Sequence, residues 1–208
     1  MKILFICVHP LQGCGYSRVA NKITNHLASI PGIEVVFFAF QDFKDQRITD
    51  RFVDPRIKFY DALEIDPKSP LGFGDNAILP CIVEEKPDAL FVYNDMMVIR
   101  DIMKLIPAKH MPPKKYIYLD IVYPWQSVEV YEILKSLNFD RIWVFLEYWK
   151  KHLIDDFGFD RKKVKVMPHG VDFDKYREIP MEEVRKQTGY EPDDFLVINM
   201  NRNTVRKH

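Results

Sequence analysis

Six short runs of β-branched, aromatic and other apolar residues constrain this chain more than any other feature: Ile3 to Val8, Val35 to Phe40, Ala89 to Tyr93, Tyr116 to Leu119, Ile142 to Phe145 and Val164 to Met167. Runs of this length without polar alternation read as strands buried on both faces. Helical patterns lie between most of them. Val19, Ile23 and Leu27 recur every four residues after Ser17, Trp149, Leu153 and Phe157 do so after Glu147, and Met96 to Leu105 also reads as a helix. Parallel strands cannot be joined by a tight turn and need a crossover, so the repeated strand, helix, strand order predicts an α/β fold. The expected form is a Rossmann-like, doubly wound, mainly parallel sheet. Gln41 to Pro80 breaks the pattern with Pro55, Pro67, Pro70 and Pro80 and one strand-like piece at Ile57 to Tyr60. It is predicted to be an irregular excursion at the sheet's edge.

The last of the six runs leads into Pro168-His169-Gly170-Val171-Asp172. Residues 1–172 are therefore expected to form the Rossmann-like domain. Residues 173–192, polar and with a short helix around Met181 to Lys186, read as a connector. Residues 193–208 carry one more buried-strand pattern, Phe195 to Asn199, and a basic loop from Asn201 to His208. One strand and a loop make no domain, so this tail is expected to open a second one. A chain of 208 residues holds one full core with residues left over.

Charge and cysteine usage exclude several classes. Thirty Lys plus Arg balance thirty Asp plus Glu, so no excess positive charge is available to hold a polyanion, and nucleic acid is not an expected partner. Cys7, Cys14 and Cys81 have neither CxxC spacing nor an even count. That argues against a disulfide framework or a zinc site and fits a reducing, cytosolic setting. The run after Lys2 is short, has no small-residue cleavage site and leads into a glycine turn, unlike a signal peptide. No stretch approaches the ~18 apolar residues of a membrane span.

The chemistry-bearing residues cluster after strands. Gln12-Gly13-Cys14-Gly15-Tyr16-Ser17-Arg18 joins the first strand to the first helix, where backbone amides and the helix dipole favour an anion. A dinucleotide fingerprint would want glycine where Arg18 stands, so the loop is either a phosphate site of another kind or a ligand-free turn. Tyr16 is a candidate for the cleft beside it. Asp120 closes the fourth of the six runs, on the edge where open α/β sheets bind ligands; it either orients or deprotonates a sugar hydroxyl or makes a cap or loop hydrogen bond. Asn94 and Asp95 close the preceding run and either line the same cleft or cap the next helix. His169, between Pro168 and Gly170, reads as a base or phosphate donor, or as a residue that shapes the hinge with Gly170 and Asp172. Lys104, Lys109, His110, Lys114 and Lys115, with Met103, Ile106 and Met111 interspersed, form either a peripheral contact with an anionic membrane or a solvated helix end. Arg202 and Lys207 share one loop after a buried run, where two cations can hold a diphosphate; alternatively they belong to a frayed basic end.

Two of these motifs resemble those of a known family, the retaining glycosyltransferases of family four, whose GT-B architecture faces two Rossmann-like domains across a cleft. Asp160 to Asp172 is similar to the family's strand-then-PNGVD junction, with His169 where Asn is usual. Asn201-Arg202 through Arg206-Lys207 is similar to the family's Arg and Lys five residues apart at the start of the donor domain. The resemblance implies an amino-terminal, acceptor-binding domain plus the first strand of the donor domain. It implies that Gly13 and Gly15 face the donor diphosphate from one side and Arg202 and Lys207 from the other. Asp120 falls roughly where many members carry a catalytic-site His, and Glu147 near a family Ser. The implied reaction moves a hexose from a UDP- or GDP-sugar to a sugar, lipid or protein-glycan acceptor, with retention, and with no DxD motif to call for a metal. These 208 residues alone are expected to be inactive. The alternatives are a non-catalytic acceptor- or partner-binding module and a GT-B nucleotide-sugar epimerase.

Overall fold

The computed structural model describes residues 1–122, 127–171, 173, 176–191, 193–195 and 197. The chain divides into two compact units, Met1–His169 and Gly170–His208.

The first unit is an α/β Rossmann-like domain built on a seven-stranded, all-parallel sheet. In chain order its elements are β1 (Lys2–Val8), α1 (Gly15–Ser29), β2 (Glu34–Phe40), β3 (Lys58–Asp61), α2 (Ala62–Ile65), α3 (Asp75–Glu85), β4 (Ala89–Asp95), α4 (Met96–Lys104), β5 (Lys114–Asp120), α5 (Val128–Ser136), β6 (Arg141–Val144), α6 (Glu147–Lys151) and β7 (Val164–Val166). The strands lie in the order β3-β2-β1-β4-β5-β6-β7. Leu4 to Cys7, Val36 to Phe40 and Leu90 with Val92 are sealed from solvent, as the unbroken apolar runs require of central parallel strands. The chain winds outward from β1 and β4 in both directions, so right-handed crossovers put α1 and α4 on opposite faces.

Three local expectations change. In α1 the buried residues are Ser17, Ala20, Asn21, Thr24 and Ala28, while Val19, Ile23 and Leu27 are only half-buried at its flank. Small residues let the helix approach the sheet closely, and the polar ones are satisfied: Thr24 donates to Ala20 O at 2.8 Å and Asn21 to Phe52 O at 2.8 Å. Pro80 does not mark an irregular stretch but sits inside α3. Its missing N–H and ring remove one helical bond, and Ala77, Ile78, Cys81 and Ile82 bury the helix regardless. The helix beginning at Glu147 continues as a π-helical turn, His152–Asp156, which carries Phe157 past the line of Trp149 and Leu153 and onto Tyr131, ring to ring at 3.8 Å.

In the second unit α7 spans Met181–Thr188 and is closed by Gly189 in the left-handed conformation, φ 78°. Glu182 and Glu183 in its first turn and Arg185 and Lys186 in its last match the helix dipole. The strand expected at Phe195 to Asn199 falls largely outside the described residues.

Candidate active site at the carboxyl edge of the sheet

The strand order reverses at β1, which has β2 on one side and β4 on the other. In open α/β sheets ligands enter the crevice at the carboxyl ends of the strands flanking such a switch point. Here the β1–α1 loop, the ends of β4 and β5, and the segment after β7 meet.

The loop is firmly built. His9 N donates to Phe40 O at 2.8 Å, Gln12 N to His9 O at 3.0 Å, and Cys14 N to Gln12 O at 2.9 Å. The Ser17 hydroxyl reaches back to Gln12 O and Cys14 O. Cys14, the N-cap of α1, makes no side-chain cap, and the first turn holds no acidic residue. The helix's positive end is therefore not neutralised by its own sequence. Neither Gly13 nor Gly15 has a positive φ, so the turn itself does not demand glycine. A Cβ on Gly13 would meet Gln46 O at 3.8 Å, an ordinary contact, and one on Gly15 would meet nothing within 4 Å. At Gly15 the missing side chain leaves the backbone accessible.

Register places Asp95 opposite Asp120 and Tyr93 opposite Tyr118, all four on one face of the sheet. Tyr16, one residue into α1, sets its ring edge-on to Tyr93 at 5.3 Å, and its hydroxyl interacts with the Asp120 carboxyl. Burial raises the Asp120 carboxyl above its usual range and Asp95 adds to the effect, while Tyr16 and His169 oppose it. Burial also pushes the Tyr16 phenol far up, so it stays a donor.

Asp95 accepts from Met97 N and Val98 N at 2.9 and 3.0 Å and so caps α4. Asn94 is buried and accepts from Asp95 N. His169 uses its side chain: the ring stacks on Phe145 at 5.1 Å, meets Tyr118 edge-on at 5.7 Å, and lies 3.5 Å from the Tyr93 hydroxyl. Tyr118 in turn donates to Met167 O at 2.6 Å. Gly170 is exposed and begins the second unit. Glu147 opens α6 and pairs with Lys150 on the surface. Asp172, Arg202 and Lys207 lie outside the described residues.

The sequence reading missed the side chains behind the loop. Gln12 and Asp42 are buried, and Gln12 Nε2 donates to Asp42 Oδ1 at 3.2 Å and Phe43 O at 3.0 Å. Arg47 forks onto the Asp42 carboxylate. Burial opposes the charge on Asp42, but Arg47 holds it below the usual range, and the facing Asp61 is raised. Burial also lowers His9 to about 4. Arg51 reaches three oxygens around the same loop. Asp42 through Arg51 carry no periodicity, and their return to the loop is a long-range contact with no local signature.

Among the described residues no three His, Cys, Asp or Glu side chains converge as a metal site, and no helix is long and apolar enough to cross a membrane. In the basic cluster Met103 and Ile106 are in the core and Met111 is half-buried against it, while Lys114 pairs with Asp140 at 3.2 Å and Lys115 donates to Leu137 O at 2.7 Å.

No protein-family model matches the chain, and no curated protein matches it in sequence. Among solved structures it is similar to HepE of Anabaena, crystallised in complex with UDP and glucose, at 16% identity and a TM-score of 0.56 over 91% of this chain and 50% of that one. It also resembles a candidate UDP-N-acetylglucosamine 2-epimerase from Listeria monocytogenes at 15% identity and a TM-score of 0.49, over 78% of this chain and 44% of that one. The chain thus spans about half the length of the solved structures it resembles, and at these identities the likeness to HepE is one of fold.

Proposed function

We propose that this chain is the amino-terminal, acceptor-binding half of a GT-B nucleotide-sugar enzyme, a retaining glycosyltransferase that moves a hexose from a UDP- or GDP-sugar. The observation that carries the reading is the convergence of an uncapped helix N-terminus, an accessible glycine backbone and a half-buried carboxyl at the sheet's switch point. HepE, of the same fold, was solved with UDP and glucose, which fits a site for a nucleotide diphosphate and a hexose.

In this reading the amides at the start of α1 stabilise the negative charge that develops as the diphosphate leaves, acting as fixed dipoles that need no reorganisation. Arg202 and Lys207 add cations from the donor side, and no metal is required. Asp120 orients an acceptor hydroxyl and accepts its proton, with Tyr16 holding the carboxylate in place. Tyr93, Tyr118 and His169 form the aromatic wall against which the acceptor packs. Residues 173–192 connect the acceptor-binding domain to the donor domain, which residues 193–208 open.

Assaying the full-length protein against a panel of UDP- and GDP-sugars, with the anomer of the product read by NMR, tests this. Transfer or slow hydrolysis with retained configuration is expected, and none from the 208 residues alone. Inversion, or turnover of no donor, contradicts it. Isomerisation of the donor without acceptor would instead assign an epimerase.

A further inference from the structure

Segment 42–54 runs from the end of β2 past the β1–α1 loop and along α1. Ile48 N donates to Leu11 O at 2.6 Å, and Gln12 and Arg47 form an isolated antiparallel bridge. Asn21 and Asn25 donate to Phe52 O, and Asn25 accepts from Asp54 N at 2.8 Å. The segment therefore straps the glycine loop and the helix together. At its centre Arg51 Nη1 donates to Pro10 O, to Gln12 O at 3.3 Å and to Ser17 Oγ at 2.8 Å.

This arrangement decides which way the loop's peptides face. In a trans peptide the C=O of one residue and the N–H of the next point in opposite directions. Gln12 O is held by Arg51, by the Ser17 hydroxyl and by Cys14 N. The Gly13 N–H must therefore turn away from them. Pro10 O, held by Arg51, fixes the Leu11 peptide in the same manner, and Leu11 N donates to His9 Nδ1 at 3.3 Å. Without the guanidinium, Pro10 O would lose this partner and Gln12 O would keep only Cys14 N and the Ser17 hydroxyl, and a carbonyl oxygen turned toward the helix N-terminus repels an anion. Arg51 is half-buried, and burial, then Arg18, lower its pKa. Its positive charge stands just behind the loop.

We infer that Arg51 is a positioning residue for the diphosphate: it draws the loop carbonyls of Pro10 and Gln12 inward and presents the amides of the glycine loop and first turn to the anion. The inference rests on the anion-site reading above. It gives the aperiodic segment after β2 a role in donor binding through Gln12 and Ser17, without contact to the substrate.

Calorimetric titration of the full-length protein with inorganic pyrophosphate, for wild type, R51Q and R51K, tests it alongside hydrogen exchange of the peptide spanning residues 9–18. R51Q should weaken pyrophosphate about tenfold or more, the scale of losing a charged hydrogen-bond network, and speed exchange in that peptide. R51K, which keeps the charge but ends one bond short of the position that Nη1 holds among the three oxygens, should recover only part of the affinity. Wild type that fails to bind pyrophosphate removes the anion-site reading beneath the inference. Wild type that binds, with R51Q or R51K binding equally tightly, overturns the inference alone. Should R51Q not fold, R51K decides on the same criterion.

Discussion

Asp120 is a carboxylate whose neighbours come from three parts of the chain: Asp95 from the adjacent strand, Tyr16 from the first helix and His169 from beyond the last strand. Burial, with Asp95 adding to it, makes the group more basic than a surface aspartate, which suits it to take a proton near neutral pH. A base works only when ionised, so turnover should fall as pH drops through this raised value, above the ordinary 3.8. Asp120→Asn keeps an acceptor for Tyr16 but cannot take a proton. It should lower kcat about a hundredfold, leave donor KM little changed and abolish the acid limb of the pH–rate profile. An unchanged kcat with the same limb would make the carboxyl structural. From sequence Asp120 could be placed at a strand end but not given its surroundings, since Tyr16 and His169 are 104 and 49 positions away.

At the level of elements, the strands were readable because central parallel strands need unbroken apolar runs, and these occur almost nowhere else in the chain. Helix faces were less so. The i, i+4 line Val19, Ile23, Leu27 suggested the buried stripe of α1, yet close packing selected Ser17, Ala20, Asn21, Thr24 and Ala28, whose polar members are legible only once their acceptors are known. The opposite edge of the sheet is fastened by Glu85, at the end of α3, which accepts from Lys2 of β1 at 2.9 Å and from Lys58 and Tyr60 of β3. Burial alone would raise this carboxyl, but its three donors hold it at about 2, below the ordinary 4.5. Stability from a depressed carboxylate is present above the unfolded value and lost as pH falls through the folded one. Roughly 3 kcal/mol should therefore disappear between pH 4.5 and about 2. His9, lowered to about 4 from 6.5, costs stability in the window just above. Chemical denaturation at several pH values should show Glu85→Gln less stable than wild type at pH 7 and flatter below pH 4. Parallel curves for the two proteins in that range would refute the assignment.

The whole first unit gathers its candidate site at one edge of the sheet and a second group of ion pairs at the other. Glycine loop, Asp120 and the aromatic wall stand at the carboxyl ends of the strands; Lys2, Lys58, Glu85, Lys114 and Asp140 stand at the amino ends. The sequence order of strands and helices was enough to predict the fold and to put Gly13, Gly15 and Asp120 on the same edge. It did not disclose Arg51, Asp42 or Gln12, because a segment without periodicity announces nothing about what it packs on. The similarity to HepE is one of fold. Hydrogen exchange of the full-length protein with and without saturating UDP or GDP tests the proposed nucleotide site most directly. The account predicts slowed exchange in the peptide spanning Gly13 to Ser17, with the amino-terminal edge around Lys2 and Lys58 unaffected. Nucleotide that slows exchange elsewhere while leaving Gly13 to Ser17 unchanged would contradict it.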